Sequence, residues 1–361
     1  MKKVAVVYGG DSLEHDISIV TSLFVMEELT KHKIPFIPIY ISHDNIFYTG
    51  KALFNKDNYE NKHKFIKCEF VFRQGYYQFK CGLHYEDIDV ALLCFHGAGT
   101  EDGTIKALFD FMHIPSTSSS VITSALIQDK YYSKIILRNL GVPVVDCFKL
   151  SKAQDIVIPD GFDFPLVIKP SHLGSSIGVK KVNNYDEYQS QLNTAFEYDE
   201  EVIVEKVVQN LKELNIAILG DNIKQVISDI ELVNMEDKIL TFKDKYELFQ
   251  SKYSGHIIPA KITKNLQNEI KEYATKAFKE FNCLGVVRFD FLYDTKNKKL
   301  YLNEINSIPG SLSYYLFKNQ KINMVDIINR LCDIARKEYN HKRTLITNYE
   351  CSSLKTIAMK K

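Results

Sequence analysis

"GVVRFDFLYDTKNKKLYLNEINSIPG", residues 285–310, sets two apolar strands around a polar turn. Alternate side chains of a strand share a face, so Arg288 and Asp290 point one way. Glu304 and Asn306 do the same on the second strand. A turn centred near Asn297 predicts Asp290 opposite Glu304, with Cβ atoms about 5 Å apart. Two carboxylates that close repel, and at neutral pH they call for a cation between them. Asp, Glu and Asn are hard oxygen donors, suited to Mg²⁺ shared with nucleotide phosphates. The competing reading is a surface hairpin with scattered charges. Val286, Val287, Phe289, Phe291, Leu300 and Leu302 oppose it, because a surface hairpin has no use for so many apolar neighbours. Pro309-Gly310 then ends the strand in a tight turn.

Upstream of this hairpin the pattern is antiparallel. "LNIAILGD" and "VISDIELV" read as strands, and "LQNEIKEYATKAFKEFN" as a helix. Residues 1–118 differ. "KVAVVYGG" and "DVALLCFHG" are continuous apolar runs ending at glycines, as in a buried parallel sheet. "PFIPIYIS" is a strand between them, while "DSLEHDISIVTSLFVMEELTKH" and "GTIKALFDFMH" have helical spacing. This alternation predicts an open α/β sheet with crossover helices and a ligand site at the carboxyl ends of its strands. Glu14, His15 and His96 fall there. "SSVITSALIQDKYYSKIILRNLGV" reads as one helix closed by Gly141. The predicted fold class is therefore α/β followed by α+β.

Composition narrows the function classes. The chain has 361 residues, 45% hydrophobic and 25% charged, with a formal net charge of +1. That is ordinary for a globular protein of two or three domains. It offers no bulk electrostatic case for nucleic acid or an anionic membrane. No apolar run nears the roughly 20 residues of a membrane helix. The start, "MKKVAVVYGG", reads as a first strand of a cytoplasmic protein, not a leader. There are seven cysteines, and no C-x-x-C spacing, which argues for free thiols over disulfides or zinc.

Four further stretches carry polar chemistry. "KPSHLGSSIGV" ends a buried strand at Lys169. Its Ser-Gly loop offers backbone N–H groups and the hydroxyls of Ser175 and Ser176, which suits a lid over phosphates or an ordinary hairpin turn. It is not a Walker A loop. In "VIVEKVV", Glu205 and Lys206 interrupt an apolar strand, either beside an adenine edge or as an edge-strand charge pair. In "YGGDSLEHDIS", Ser12 could cap the helix and Glu14 could favour its dipole, or Glu14 could face a substrate. In "FHGAGTEDGT", His96 could be structural and Asp102 an N-cap.

In this order the stretches "YGGDSLEHDIS", "HGAGTEDGTIKALF", "SALIQDKYYSK", "VIKPSHLGSSIGV", "VRFDF" and "LNEINSIPG" resemble the D-alanine–D-alanine ligase family of the ATP-grasp superfamily, over about residues 3–340. The resemblance implies a three-domain ATP-grasp fold: residues 1–118 substrate-binding, 119–206 and 207–345 gripping ATP between two antiparallel sheets, and 346–361 a tail. It implies joining of two amino acids through an acyl phosphate, for peptidoglycan, in a cytoplasmic homodimer. ATP and two Mg²⁺ (or Mn²⁺) ions would serve, the metal held by Asp290, Glu304 and Asn306. Lys130, Lys169 and Ser176 would contact ATP phosphates. Glu205, Lys206 and Val208 would border the adenine, with Glu213 near the ribose. Glu14 would hold the first substrate's ammonium, with His96 nearby. Arg288 and the Gly310 N–H would stabilise the oxyanion. Ser175 and a lid tyrosine would complete a chain with Glu14.

Two departures from the family pattern stand out. The lid carries two Lys-Tyr pairs, and its length favours Lys245-Tyr246 over Lys252-Tyr253. After Gly310 the family's substrate-gripping serine position holds Tyr315, so that Ser311 or Ser313 would take its role. Tyr315 keeps open another second substrate, D-serine or an L-amino acid. Rivals of other kinds are a catalytically silent nucleotide-binding regulator and a carboxylase-type ATP-grasp enzyme.

Overall fold

Three β-sheets organise the protein, which is described from a computed structural model covering residues 3–60, 62–152, 157–233 and 256–347. The first sheet comprises β1 (Lys3–Gly9), β2 (Phe36–Ile41), β3 (Phe47–Thr49), β4 (Ile66–Arg73), β5 (Tyr76–Cys81), β6 (His84–Glu86) and β7 (Ile88–Leu93). Their order is β6-β5-β4-β3-β2-β1-β7. Only β1 with β2 and β1 with β7 pair in parallel. Ala5, Val6 and Val7 on β1, which is paired on both sides, are fully buried, which is why β1 reads as an unbroken apolar run. The expected α/β alternation holds for β1, helix α1 (His15–Lys31) and β2. Between β2 and β7 runs an antiparallel meander, over residues that carry no strong periodicity. Helix α2 (Thr104–Phe111) follows β7, and residues 114–117 return beside it, with the Ala91 N–H donating to Pro115 O at 2.8 Å.

The single helix expected within residues 119–142 is two, α3 (Val121–Gln128) and α4 (Lys130–Asn139). Apolar spacing runs straight through the junction, but Asp129 is extended (φ −77°, ψ 108°) and its carboxylate accepts the N–H groups of Tyr131 and Tyr132. Asp129 thus caps a new helix instead of continuing the old one, and Lys130 becomes the first residue of α4. The second sheet contains β8 (Cys147–Ser151), β9 (Leu166–Pro170), β10 (Lys180–Val182) and β11 (Glu201–Lys206), with helix α5 (Tyr185–Tyr198) packed on it. Its order, β10-β9-β11-β8, makes β11 an interior strand. The edge-strand explanation of Glu205 therefore fails.

The third sheet has β12 (Leu211–Gly220), β13 (Gln225–Val233), β14 (His256–Ile257), β15 (Gly285–Asp294) and β16 (Lys299–Asn306), ordered β14-β13-β12-β15-β16. Helix α6 (Lys264–Glu280) covers it. A 3-10 segment, Gly310–Gln320, and helix α7 (Met324–Lys342) return to the first sheet and share its core through Leu316, Phe317 and Ile327. The β15–β16 hairpin starts in a register pairing Asp294 with Lys299 and Phe291 with Leu302. A bulge at Asn303 then shifts it by one residue, so that Asp290 opposes Glu304 and Arg288 opposes Asn306.

Asp129→Ala should cost about 1–2 kcal/mol in urea unfolding, chiefly through the lost cap, whereas Asp129→Asn, which keeps a capping oxygen, should cost less. Equal losses would mean that the cap contributes little.

Candidate active site

A two-lobed cleft opens between the second and third sheets and runs to the carboxyl ends of β1 and β7. One lobe is lined by Val167, Lys169, Ser176, Lys206, Val208 and Asn303. The other is lined by Glu14, His96, Arg288, Asn306, Gly310 and Tyr315. Lys130, Gly174, Glu213 and Glu304 border both. Residues expected to serve nucleotide and amino acid therefore fall into adjoining spaces.

The first lobe is built on a buried charge triad. Glu205 lies between Lys134 at 2.9 Å and Lys169 at 2.6 Å, and Lys134 is fully buried. Burial alone would raise the Glu205 carboxyl, but the two lysines outweigh it and hold it at about 2. Glu205 is thus occupied as an ion-pair partner, and its second lysine, Lys134, sits in no motif that singles it out. The Lys169 ammonium also donates to Asn303 Oδ1 at 3.1 Å, so the bulge residue of β16 ties the two sheets together. Lys206 pairs with Asp146 at 3.1 Å at the mouth.

The Ser-Gly loop is clamped at its root. His172 meets Asp199 through Nδ1 at 3.0 Å and Asp129 through Nε2 at 3.1 Å, and its pKa rises to about 10. The hydrogen bonds its ring donates to the two carboxylates outweigh partial burial. Ligand atoms of Asp129, His172 and Glu201 lie within 4.8 Å of one another, near enough for a metal. Both ring nitrogens of His172 are already bonded to carboxylates, however, so the cluster reads as an ion clamp. Gln128 Nε2 donates to His172 O at 2.6 Å, and the Lys130 ammonium donates to Leu173 O. Loop and helix α4 are thereby fixed together.

In the second lobe, Ser175 Oγ donates to the Glu14 carboxylate. Two glycines make room for that carboxylate. A Cβ on Gly97 would lie 2.7 Å from Glu14 Oε2, and one on Gly174 would lie 2.9 Å from it. Ser12 is not the N-cap of α1, a position that Glu14 occupies; Ser12 Oγ accepts the Glu14 N–H and donates to His96 O at 2.8 Å. Asp102 likewise stands one residue before the N-cap Gly103, although its carboxylate still accepts the Thr104 N–H. His96 bonds Thr21 Oγ1 at 3.0 Å. Burial, with nearby Arg288, lowers it to about 4, so it is neutral.

Across the lobe, Arg288 grips Asp290 through two hydrogen bonds of 2.7 Å, and Asn306 Nδ2 donates to the same carboxylate at 3.0 Å. Asp290, Glu304 and Asn306 share one face of the hairpin. Three hard oxygen donors beside the cleft form a set that fits a divalent cation. Tyr315 lines the cleft and donates to Glu231 at 3.3 Å. Ser311, Leu312 and Ser313 are successive left-handed residues (φ 48°, 50° and 48°), and the Ser311 N–H faces Thr21 Oγ1 at 3.5 Å. Lys245, Tyr246, Lys252 and Tyr253 lie outside the described residues.

Known proteins match this chain over nearly all of its length. Models of the D-ala D-ala ligase N-terminus and C-terminus match residues 3–119 and 136–333. The D-alanine–D-alanine ligase of Thermosipho africanus is 37% identical, covering 96% of both chains. The solved D-alanine–D-alanine ligase of Coxiella burnetii shares the fold with a TM-score of 0.82, at 23% identity over 99% of each chain. The Bacillus anthracis enzyme, solved with ATP, has a TM-score of 0.68 at 25% identity, over 95% of this chain and 100% of that one.

Glu205→Ala should destabilise the protein by about 3–5 kcal/mol, because it leaves Lys134 buried and unpaired. Because the folded pKa lies below the ordinary carboxylate value, the Glu205 contribution is complete above about pH 4.5 and is lost as pH falls toward about 2. Acid unfolding of Glu205→Gln should be correspondingly flatter over that range, and a wild-type profile would remove the triad from the stability of the fold.

Proposed function

This chain belongs to the D-alanine–D-alanine ligase family, and we propose that it joins two D-alanines at the expense of ATP, supplying D-alanyl-D-alanine for peptidoglycan. The observation carrying this reading is the junction of the two lobes at Lys130, Gly174, Glu213 and Glu304. A phosphate chain in the first lobe would end there, where an amino-acid carboxylate in the second would meet it. In the first step the carboxylate oxygen of one D-alanine bonds to the γ-phosphorus and ADP leaves. In the second, the amine of the other D-alanine attacks the acyl carbon, inorganic phosphate departs, and the amine gives up its proton.

The chain's residues take roles along that path. Glu14, held by Ser175, receives the first ammonium, and neutral His96 adds no competing charge. Lys130, Lys169 and Ser176 receive phosphate oxygens. Val208, Lys206 and Glu205 border the base, and Glu213 the ribose. Arg288, immobilised by Asp290, and the Gly310 N–H face the acyl oxygen, so stabilisation of the tetrahedral oxyanion needs little rearrangement. Asp290, Glu304 and Asn306 would hold Mg²⁺, which neutralises the phosphate charge when bound. Ser311 and Tyr315 lie toward the second amino acid, with Lys245 and Tyr246 in the lid. The reading includes three domains, 1–118, 119–206 and 207–345, a cytoplasmic location and a homodimer. Among the described residues no helix is long and apolar enough to cross a membrane.

Purified protein incubated with Mg-ATP and a panel of D- and L-amino acids should yield D-alanyl-D-alanine by mass spectrometry; ATP hydrolysis without dipeptide would overturn the assignment. Arg288→Ala should keep ATP binding and lose about 10²–10³ in ligation rate, whereas equal loss of both would contradict an oxyanion role. Glu304→Gln should nearly abolish phosphate release at any Mg²⁺ concentration, and near-normal turnover at saturating Mg²⁺ would remove it from the ligand set.

A further inference from the structure

We propose that His256, held by Glu231, is the anchor for the carboxylate of the second amino acid, the amine donor of the reaction. The inference rests on the ligase reading above and specifies one of its subsites. Glu231 on β13 is 1% exposed and gathers three donors: His256 Nδ1 at 2.6 Å, Asn215 Nδ2 at 3.2 Å and the Tyr315 hydroxyl at 3.3 Å. All four residues line the lobe that holds Arg288 and Gly310. An amino acid entering as an amine donor must also place a carboxylate, and a carboxylate in a recessed site requires a cation or several donors. In the ligase reading Arg288, bonded twice to Asp290 at 2.7 Å, already serves the acyl oxygen. Lys130, which also donates to Leu173 O, serves the phosphate oxygens.

His256 meets the need. Its Nδ1 is fixed by Glu231, which leaves Nε2 without a partner among the described residues, and its side chain keeps 23% exposure at the cleft. The Glu231 bond raises its pKa, favouring the imidazolium form with an N–H on both nitrogens. The same protein shows what that arrangement accepts. His172 binds a carboxylate on each ring nitrogen, Asp199 on one and Asp129 on the other, at 3.0 and 3.1 Å. His256 has the first of two such carboxylates, and the substrate would bring the second. Tyr315, held by the same Glu231, closes the lobe beside it. Where the sequence offers Ser311 or Ser313 in place of the serine that Tyr315 replaces, the geometry favours a histidine from β14.

The test is a competition between D-alanine and D-alaninamide as amine donors, with D-alanine as the acylated partner. Products are the dipeptide and its amide, measured by mass spectrometry. Wild-type protein should favour the free acid. His256→Ala should reduce that preference about 10- to 100-fold, the worth of one charge-assisted hydrogen bond, and raise the KM for the second D-alanine. His256→Gln, which keeps a neutral donor and the bond to Glu231, should fall between. A merely structural role would lower the rate with both donors and leave their ratio alone. An unchanged ratio in both variants, with dipeptide still formed, would overturn the anchor while sparing the ligase reading. A wild-type protein that makes no dipeptide would overturn the ligase reading and the anchor with it.

Discussion

The register of the β15–β16 hairpin is the constraint on which the site depends. Two strands of alternating residues must bring a cation, Arg288, and three oxygen donors to one face beside the cleft. With an uninterrupted ladder Asp290 would face Asn303, and Glu304 would turn to the opposite side. The bulge at Asn303 moves every residue beyond it by one position. It therefore does two things at once. It sets Glu304 and Asn306 across from Asp290 and Arg288, and it frees the Asn303 side chain to meet Lys169 on the other sheet. The donor set and the bridge between the sheets are consequences of one extra residue.

The rest of the site is held by buried ion pairs. Such pairs seldom add much net stability, because desolvation offsets attraction. What they supply here is direction. Glu205 keeps Lys169 aimed along the first lobe, and Lys134 balances the charge from beneath. Asp290 fixes the direction of the Arg288 guanidinium. Asp129 and Asp199 keep His172, and with it the root of the Ser-Gly loop, against helix α4. A long cationic side chain free in water would lose rotamer entropy on each turnover. These are fixed before any ligand arrives.

Much of this was legible from residues alone where the period of the backbone carries it. Alternation placed Arg288 with Asp290 and Glu304 with Asn306. The facing of Asp290 and Glu304 was also expected, but for an incomplete reason. The turn occupies 295–298, a half-residue earlier than assumed, and the bulge restores the pairing; no Gly or Pro marks Asn303. Asp129 was hidden because apolar spacing continues across it, so a capping carboxylate looked like one polar residue within a helix. Lys134, Glu231 and His256 were passed over for another reason. Their partners lie on other strands or helices, and no local spacing announces a contact between residues 16 or more apart. The meander at 47–86 shows the same limit, since short half-exposed strands alternate too weakly to compete with the strong runs around them.

Glu101 shows how the first sheet is registered against the rest. Its buried carboxylate accepts the Gly97 N–H at 3.3 Å, the Ile308 N–H at 2.9 Å and the Ser307 hydroxyl at 3.2 Å. The loop after β7 carries His96, and the loop after β16 leads into Gly310, so one side chain spaces the two walls of the second lobe. Burial raises its pKa to about 7, with nearby Glu14 pushing the same way and the three donors opposing. Every donor favours the carboxylate form, and protonation would set an O–H against that arrangement. The carboxylate form therefore holds both walls, although burying that charge is costly. The fold carries this unfavourable group at the seam between its parts because the carboxylate can satisfy donors from both loops at once, which a neutral side chain of similar size does less well.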